Sequence, residues 1–350
     1  MELSHSECLV EIPDLERASN LERLVLEGCT KLSSVHPSLS VLKKLVFLSL
    51  RDCIKLRDFP ESIELESLQI LILSGCSKLK KFPEIKGYMK HLSELFLDGT
   101  AIEELPSSIE YATGLVILDL TNCKMLRSLP NGICNLKSLE TLLLSDCSKL
   151  ENLPQNFGKL KRLRKLYADR IPVRALPTSF ADLRNLQVLS FHGRKGLNSP
   201  DFLLPPWSAL GSLKDLNLSD CNIVDGSQLS SLGLLLSLKK LNLSGNKFAS
   251  LPSSISQLPQ LTVLKLLNCR RLGALPELPS SIEVINAHNC ISLETISNQC
   301  HYTGLRHAIF TNCFKMKEYQ SNMESNFGTV VNIHQFGSRS SYPQVCSLSI

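Results

Sequence analysis

The chain has 350 residues, 43% of them hydrophobic, and a formal net charge of +5. No run approaches the ~18 consecutive apolar residues of a membrane-spanning helix. Nucleic acid is not an expected partner, because no aromatic platform or groove-reading helix accompanies the basic residues. The first 20 residues show no basic segment followed by an apolar one, so no secretion signal is read there. Thirteen cysteines is an odd number, without the paired spacing of a capping module, and such usage fits a reducing, cytoplasmic or nucleocytoplasmic setting.

Taken in chain order, the sequence repeats one phrase. Leu21-Glu-Arg-Leu24-Val-Leu26-Glu-Gly-Cys29 is followed by Leu45-Val-Phe-Leu48-Ser-Leu50-Arg-Asp-Cys53 and Leu68-Gln-Ile-Leu71-Ile-Leu73-Ser-Gly-Cys76. The phrase restarts at residues 92, 115, 139, 163, 186, 213, 238, 261, 282 and 305, in steps of 21 to 27 residues. This is the period of a leucine-rich repeat. Within each phrase the leucines alternate with other residues, which predicts a short strand with one buried side. One coil cannot bury its leucines alone, so the coils must stack and their strands must line up in parallel. Thirteen strands at about 4.8 Å make a sheet roughly 60 Å along its arc.

After each strand the chain must turn inward. Cys29, Cys53, Cys76, Cys123, Cys147, Cys221, Cys269, Cys290 and Cys313 stand at that turn, and Asn246 fills the same place in another repeat. Thr100, Ile171 and Arg194 occupy it elsewhere. A small, buried thiol with a weak donor suits such a ladder, and the cysteines are expected reduced. The second half of the repeat reads Leu105-Pro106-Ser-Ser-Ile109, Leu129-Pro130-Asn-Gly-Ile133 or Leu251-Pro252-Ser-Ser-Ile255. Proline there predicts irregular or 3₁₀ turns rather than long helices. The expected architecture is an α/β repeat of the leucine-rich type: a curved, horseshoe-shaped solenoid with a parallel concave β-sheet and an irregular or 3₁₀ convex side. It should span residues 1–316, beginning inside a truncated repeat, since Leu3 aligns with Leu26 and Ser6 with Cys29. Residues 317–350 lack the phrase, are rich in Ser, Asn and Gln, and are expected to form a loosely ordered tail.

The outward strand positions point to a binding surface. Val25, Phe47, Ile70, Ile72, Phe96, Ile117, Leu143 and Tyr167 put large apolar side chains on the face opposite the leucines, where water-facing positions are usually polar. Farther on, the same column changes to Asn217, Asn242, Lys265 and Asn286. Residues 159–195 hold ten basic residues and only two acidic ones. Of these, Arg164, Lys165 and Arg170 should share the concave face and steer an acidic partner surface. Longer steps after Leu186 and Leu213 mark insertions. The stretch from Asn198 to Trp207 is the expected protruding loop, with the chain's only tryptophan more suited to plugging the core than to anchoring a ligand. His288, Cys290, Cys300 and His301 match no metal or catalytic template. No metal, cofactor or catalytic residue is expected.

The form Cys-x-x-Leu-x-x-Leu-Pro-x-x-Ile resembles the leucine-rich repeats of plant intracellular immune receptors. Leu24-Val-Leu-Glu-Gly-Cys29-Thr-Lys-Leu32, Leu73-Ser-Gly-Cys76-Ser-Lys-Leu79 and Leu97-Asp-Gly-Thr100-Ala-Ile102 carry that likeness. Phe310-Thr-Asn-Cys313-Phe-Lys315 is similar to the end of that family's repeats. The class with an N-terminal Toll/interleukin-receptor domain is the most similar. The resemblance implies a module that recognises a pathogen effector or a guarded host protein and restrains a nucleotide-binding domain. In the family, NAD-cleaving activity belongs to the Toll/interleukin-receptor domain, of which this sequence has no segment. It also has no Gly-x-x-x-x-Gly-Lys-Ser/Thr phosphate loop. Two alternatives remain: a standalone leucine-rich repeat scaffold or decoy, and a ubiquitin-ligase substrate adaptor.

Overall fold

Leucines at alternate positions give each phrase one wholly apolar side, and that side decides the fold. The computed structural model describes residues 1–173, 175–193, 207–297, 304–316 and 331–332. Three-residue strands from Arg23–Val25 to His307–Ile309 follow one another in sequence order within a single parallel sheet. Their register repeats from phrase to phrase: Leu24 faces Leu48, and Leu48 faces Leu71. Every strand leucine of this kind is buried, and one continuous core runs from Ile12 to Met316. The sheet goes beyond the thirteen phrases. Val331–Asn332 pairs with the strand His307–Ile309 as a fourteenth member. At the other edge, the truncated first coil still pairs, because Leu3 N–H donates to Val25 O at 2.9 Å and Val25 N–H donates to Met1 O at 3.0 Å.

The prolines explain the opposite side of the solenoid. Pro106, Pro130, Pro177 and Pro252 each precede a 3₁₀ turn, with φ between −62° and −69°, close to the ring's fixed value. In each case the proline carbonyl accepts the N–H of the phrase's last apolar residue: Ile109, Ile133, Phe180 or Ile255. That residue is thereby turned inward and fully buried. Among the described residues the segments between strands hold 3₁₀ turns and short two-residue ladders but no α-helix. None of these helices is long and apolar enough to cross a membrane.

Two devices hold one coil to the next at the inward turn. The first is a backbone conformation. The residue before each ladder position has φ between +54° and +77° in every repeat from Gly28 to Asn312. That residue is Gly, Asn or Asp except at Arg170, as the left-handed region requires. Its N–H reaches the following coil: Gly28 donates to Arg51 O, Asp52 to Ser74 O and Gly75 to Asp98 O, at 2.7–2.8 Å. The second is the ladder side chain. Cys53 Sγ donates to Leu26 O, Cys76 to Leu50 O, Cys147 to Leu120 O and Cys221 to Phe191 O, each at 3.1 Å. Asn246 does the same with stronger donors, its Nδ2 reaching Leu218 O and Leu243 O at 2.8 Å, while its Oδ1 accepts Ile223 N–H. The eleven described cysteines are all free thiols.

Burial raises several of these thiols, whereas hydrogen bonding with Cys290 lowers Cys269 and Cys313. Burial pushes Cys53 up to about 12, helped by the neighbouring Cys29, and Cys123 up to about 11; Cys76 and Cys147 are raised as well. The folded chain therefore favours the protonated thiol. Its contribution is complete below the ordinary thiol value of 9.0 and is lost as pH rises through 11 to 12. Urea unfolding at about pH 10.5 should show a lower midpoint than at about pH 7.5. The loss should shrink in a Cys53→Thr/Cys123→Thr variant, since Thr100 already fills one such slot. Equal losses in both chains would remove the thiols as the cause.

Packing gives a second expectation. Leu118→Ala, in the core, should cost about 3 kcal/mol. Ile117→Ala, one residue away on the half-exposed face, should cost no more than about 1 kcal/mol by the same urea titration.

Candidate binding surface on the concave face

The residues between the strand leucines point away from the core, and the parallel register sets them side by side. One row runs Phe47, Ile70, Glu94, Ile117, Thr141, Lys165 across successive strands. A parallel row runs Phe96, Asp119, Leu143, Tyr167. Phe47, Ile70, Phe96, Ile117, Leu143 and Tyr167 are half-buried, each with part of its surface open. The structure thus brings six of the eight apolar residues singled out from the sequence onto one accessible strip.

Val25 and Ile72 do not belong to it. They are only 5% and 8% exposed. Val25 lies on the first three-residue strand, where its carbonyl accepts Leu3 N–H and its N–H donates to Met1 O, so the truncated coil packs alongside it. Ile72 is set in register between Ser49 and Phe96. Phe47 is also partly roofed, because the Arg23 guanidinium lies 3.8 Å from its ring centroid.

The basic bend is weaker than a count along the sequence suggests. Arg170 Nε and Nη2 fork onto the two carboxylate oxygens of Asp146 at 2.6 and 2.5 Å. Arg164 lies 3.4 Å from Glu140, and Lys161 lies 3.7 Å from Asp182. Asp146 and Glu140 sit one coil back, 24 residues along the chain and outside the 159–195 stretch, where a local charge count does not see them. The Arg170 fork holds the Asp146 carboxyl below its usual range. Of the three basic residues expected on the concave face, Lys165 alone has no carboxylate within 4 Å among the described residues. Arg174, Arg194 and Lys195 lie outside those residues, as do most of the 198–207 insertion and all of the 317–350 tail except Val331–Asn332.

Sequence reasoning did not single out the carboxylates that border the apolar strip. Asp98 accepts Ser74 Oγ at 2.5 Å, and Glu27 accepts Ser49 Oγ at 2.7 Å. Asp119 stands between Phe96 and Leu143 in register and accepts Thr121 N–H at 2.8 Å. Burial between those side chains raises its pKa, partly offset by the Thr121 bonds. The signal was present in the sequence as an acid in a column of apolar residues. Elsewhere, Trp207 is 1% exposed and fills the core. His288 Nδ1 bonds the Thr311 hydroxyl, while Cys290 donates to Leu266 O at 3.0 Å, so the two residues serve different surfaces.

With this geometry described, comparison with known proteins is decisive. The chain is 43% identical to TMV resistance protein N of Nicotiana glutinosa over 298 residues, which is 85% of this chain and 26% of that protein. A family profile described as "Disease resistance protein RPS4B-like, leucine-rich repeats" matches residues 64–137. These are leucine-rich repeats of the plant disease-resistance type. A second profile, "Leucine Rich Repeat", matches residues 138–160 and 237–258 of the same array. Disease resistance-like protein DSC1 of Arabidopsis thaliana is 40% identical over 324 residues, covering 91% of this chain and 26% of its own length. The disease-resistance repeats described here thus span about a quarter of the length of these relatives. A solved leucine-rich repeat protein of Leptospira interrogans superposes with a TM-score of 0.61 at 22% identity, over 96% of this chain and 95% of its own, and shares the fold.

The environment of Asp119 in the disease-resistance array gives a titration with a definite sign. Its folded pKa is raised above 3.8, so its charge opposes folding at neutral pH, and the opposition fades as pH falls. Asn217, Asn242 and Asn286 occupy the same column and accept the same N–H two residues on. Asp119→Asn should therefore keep that bond and raise the urea midpoint at about pH 7. The advantage should vanish below about pH 4. An unchanged or lower midpoint at neutral pH would contradict the burial assigned to this carboxylate.

Proposed function

We propose that this repeat region is the protein-recognition module of an intracellular plant immune receptor. It binds a pathogen effector or a guarded host protein, and it regulates a nucleotide-binding domain carried elsewhere in the receptor. The reading is one of binding rather than catalysis, and its setting is the cytoplasm.

One observation carries it: the half-exposed strip of Phe47, Ile70, Phe96, Ile117, Leu143 and Tyr167 on the open face of the sheet. Large apolar side chains aligned over several strands of a water-facing surface suit a protein contact. The likeness to plant disease-resistance proteins supplies the biological setting. Phe96 and Tyr167 are the aromatic anchors, and the unpaired Lys165 stands beside them at the strip's end.

The test is to isolate the partner from plant extract and follow its binding by surface plasmon resonance. Phe96→Ala should raise the dissociation rate by about tenfold or more, as loss of an interface anchor does. Lys165→Glu should mainly slow association, most strongly at low salt. Two variants that bind with unchanged kinetics would place the interface off this strip.

A further inference from the structure

The C-terminal half of the concave face has a different chemistry. A depression of about 400 Å³ opens there, lined by Asp215, Asn217, Lys240, Asn242, Val263 and Lys265. Its volume falls within the range of small-ligand and side-chain pockets. Register places Asn217, Asn242, Lys265 and Asn286 abreast on four consecutive strands. Each of the three asparagines uses its Oδ1 to accept the backbone N–H two residues on: Ser219, Ser244 and His288, all at 3.1 Å.

Those bonds decide which end of each amide is free. A backbone N–H needs an oxygen, so Oδ1 is turned to the backbone and the NH₂ is left for the surface. Asn217 spends one of its hydrogens on Ser190 Oγ at 3.1 Å. Lys265 completes the row with an ammonium, and Lys240 adds a second one over the same depression. Both lysines are exposed and have no carboxylate within 4 Å among the described residues. Asp215 lies in register beside Lys240 without forming an ion pair with it. The exposed ends of this row are therefore donors throughout, Lys265 charged, and Lys240 in the neighbouring row adds a second charge; Asp215 beside it is the depression's one carboxylate. A ligand for such a row must supply acceptors and negative charge.

We propose that this depression is a carboxylate-binding site, taking acidic side chains of a polypeptide between Lys240 and Lys265 with Asn242 Nδ2 as the third donor. It is separate from the apolar strip and does not depend on the function proposed for that strip.

Fluorescein-labelled hexaglutamate is the probe, with hexaglutamine as the uncharged comparator, and anisotropy is the readout. The chain should bind hexaglutamate about tenfold or more tightly than hexaglutamine at low ionic strength. Lys240→Glu/Lys265→Glu should weaken that binding by about tenfold or more. Lys137→Glu/Lys159→Glu carries the same charge change on the exposed convex side and should alter it less than about threefold. Asn242→Asp keeps the acceptor toward Ser244 while replacing the free NH₂ by a second oxygen, so it should weaken binding about fivefold while the circular dichroism spectrum stays that of the folded chain. Equal losses in the two double variants would show an effect of net charge only and overturn the site. So would the lack of any preference for hexaglutamate, or full binding by Asn242→Asp.

Discussion

Every part of this molecule depends on the inward turn that follows each strand. There the backbone must adopt a left-handed residue, and there the coil is tied to both neighbours at once. The N–H of the left-handed residue reaches forward to the next coil, while the ladder side chain reaches back to the previous one. Without these ties the leucine faces would still seek burial and the strands could still pair, but the turn that follows each strand would lose its bonds to the neighbouring coils. With them, each coil inherits its geometry from the one before, and short-range order becomes long-range order.

That inheritance explains why the concave face can be read as columns. Because Leu24, Leu48 and Leu71 stand abreast, so do the residues beside them, and the chemistry of a column can change along the array without disturbing the core. In the N-terminal half the columns hold aromatic and aliphatic side chains interleaved with Glu94 and Asp119. Past Tyr167 its own column turns to Ser190, Asn217, Asn242, Lys265 and Asn286, while the column beside it keeps Val188, Val263 and Val284. One scaffold thereby presents two unlike surfaces on the same face, and either can vary while the leucines stay constant.

Much of this was legible from spacing alone: the leucine period gives the strands, Leu-Pro-x-x-Ile gives the 3₁₀ turns, and the recurring cysteine marks the buried turn. The left-handed column is equally legible, since Gly, Asn or Asp precedes nearly every ladder residue. What spacing could not show is interaction between coils. The Arg170–Asp146 fork and the Arg164–Glu140 pair join residues 24 apart, so a charge count confined to one stretch overstates the basic bend. The burial of Val25 and Ile72 has the same origin. A side chain's exposure on a narrow sheet face depends on its neighbours in register, which only the stacked array supplies.

Trp207 has a consequence of its own. It is the only tryptophan in the chain, fully buried, and its indole N–H has no hydrogen-bond partner among the described residues. Its emission therefore reports on one coil, from a buried position a little past the middle of the array. Stability in such a stack is a sum over neighbouring coils, so the ends can melt while the centre holds. Fluorescence and circular dichroism then watch different things: one a single station, the other the whole line. Where their unfolding curves part company, the gap between them measures how many coils the array can lose and still remain folded around residue 207.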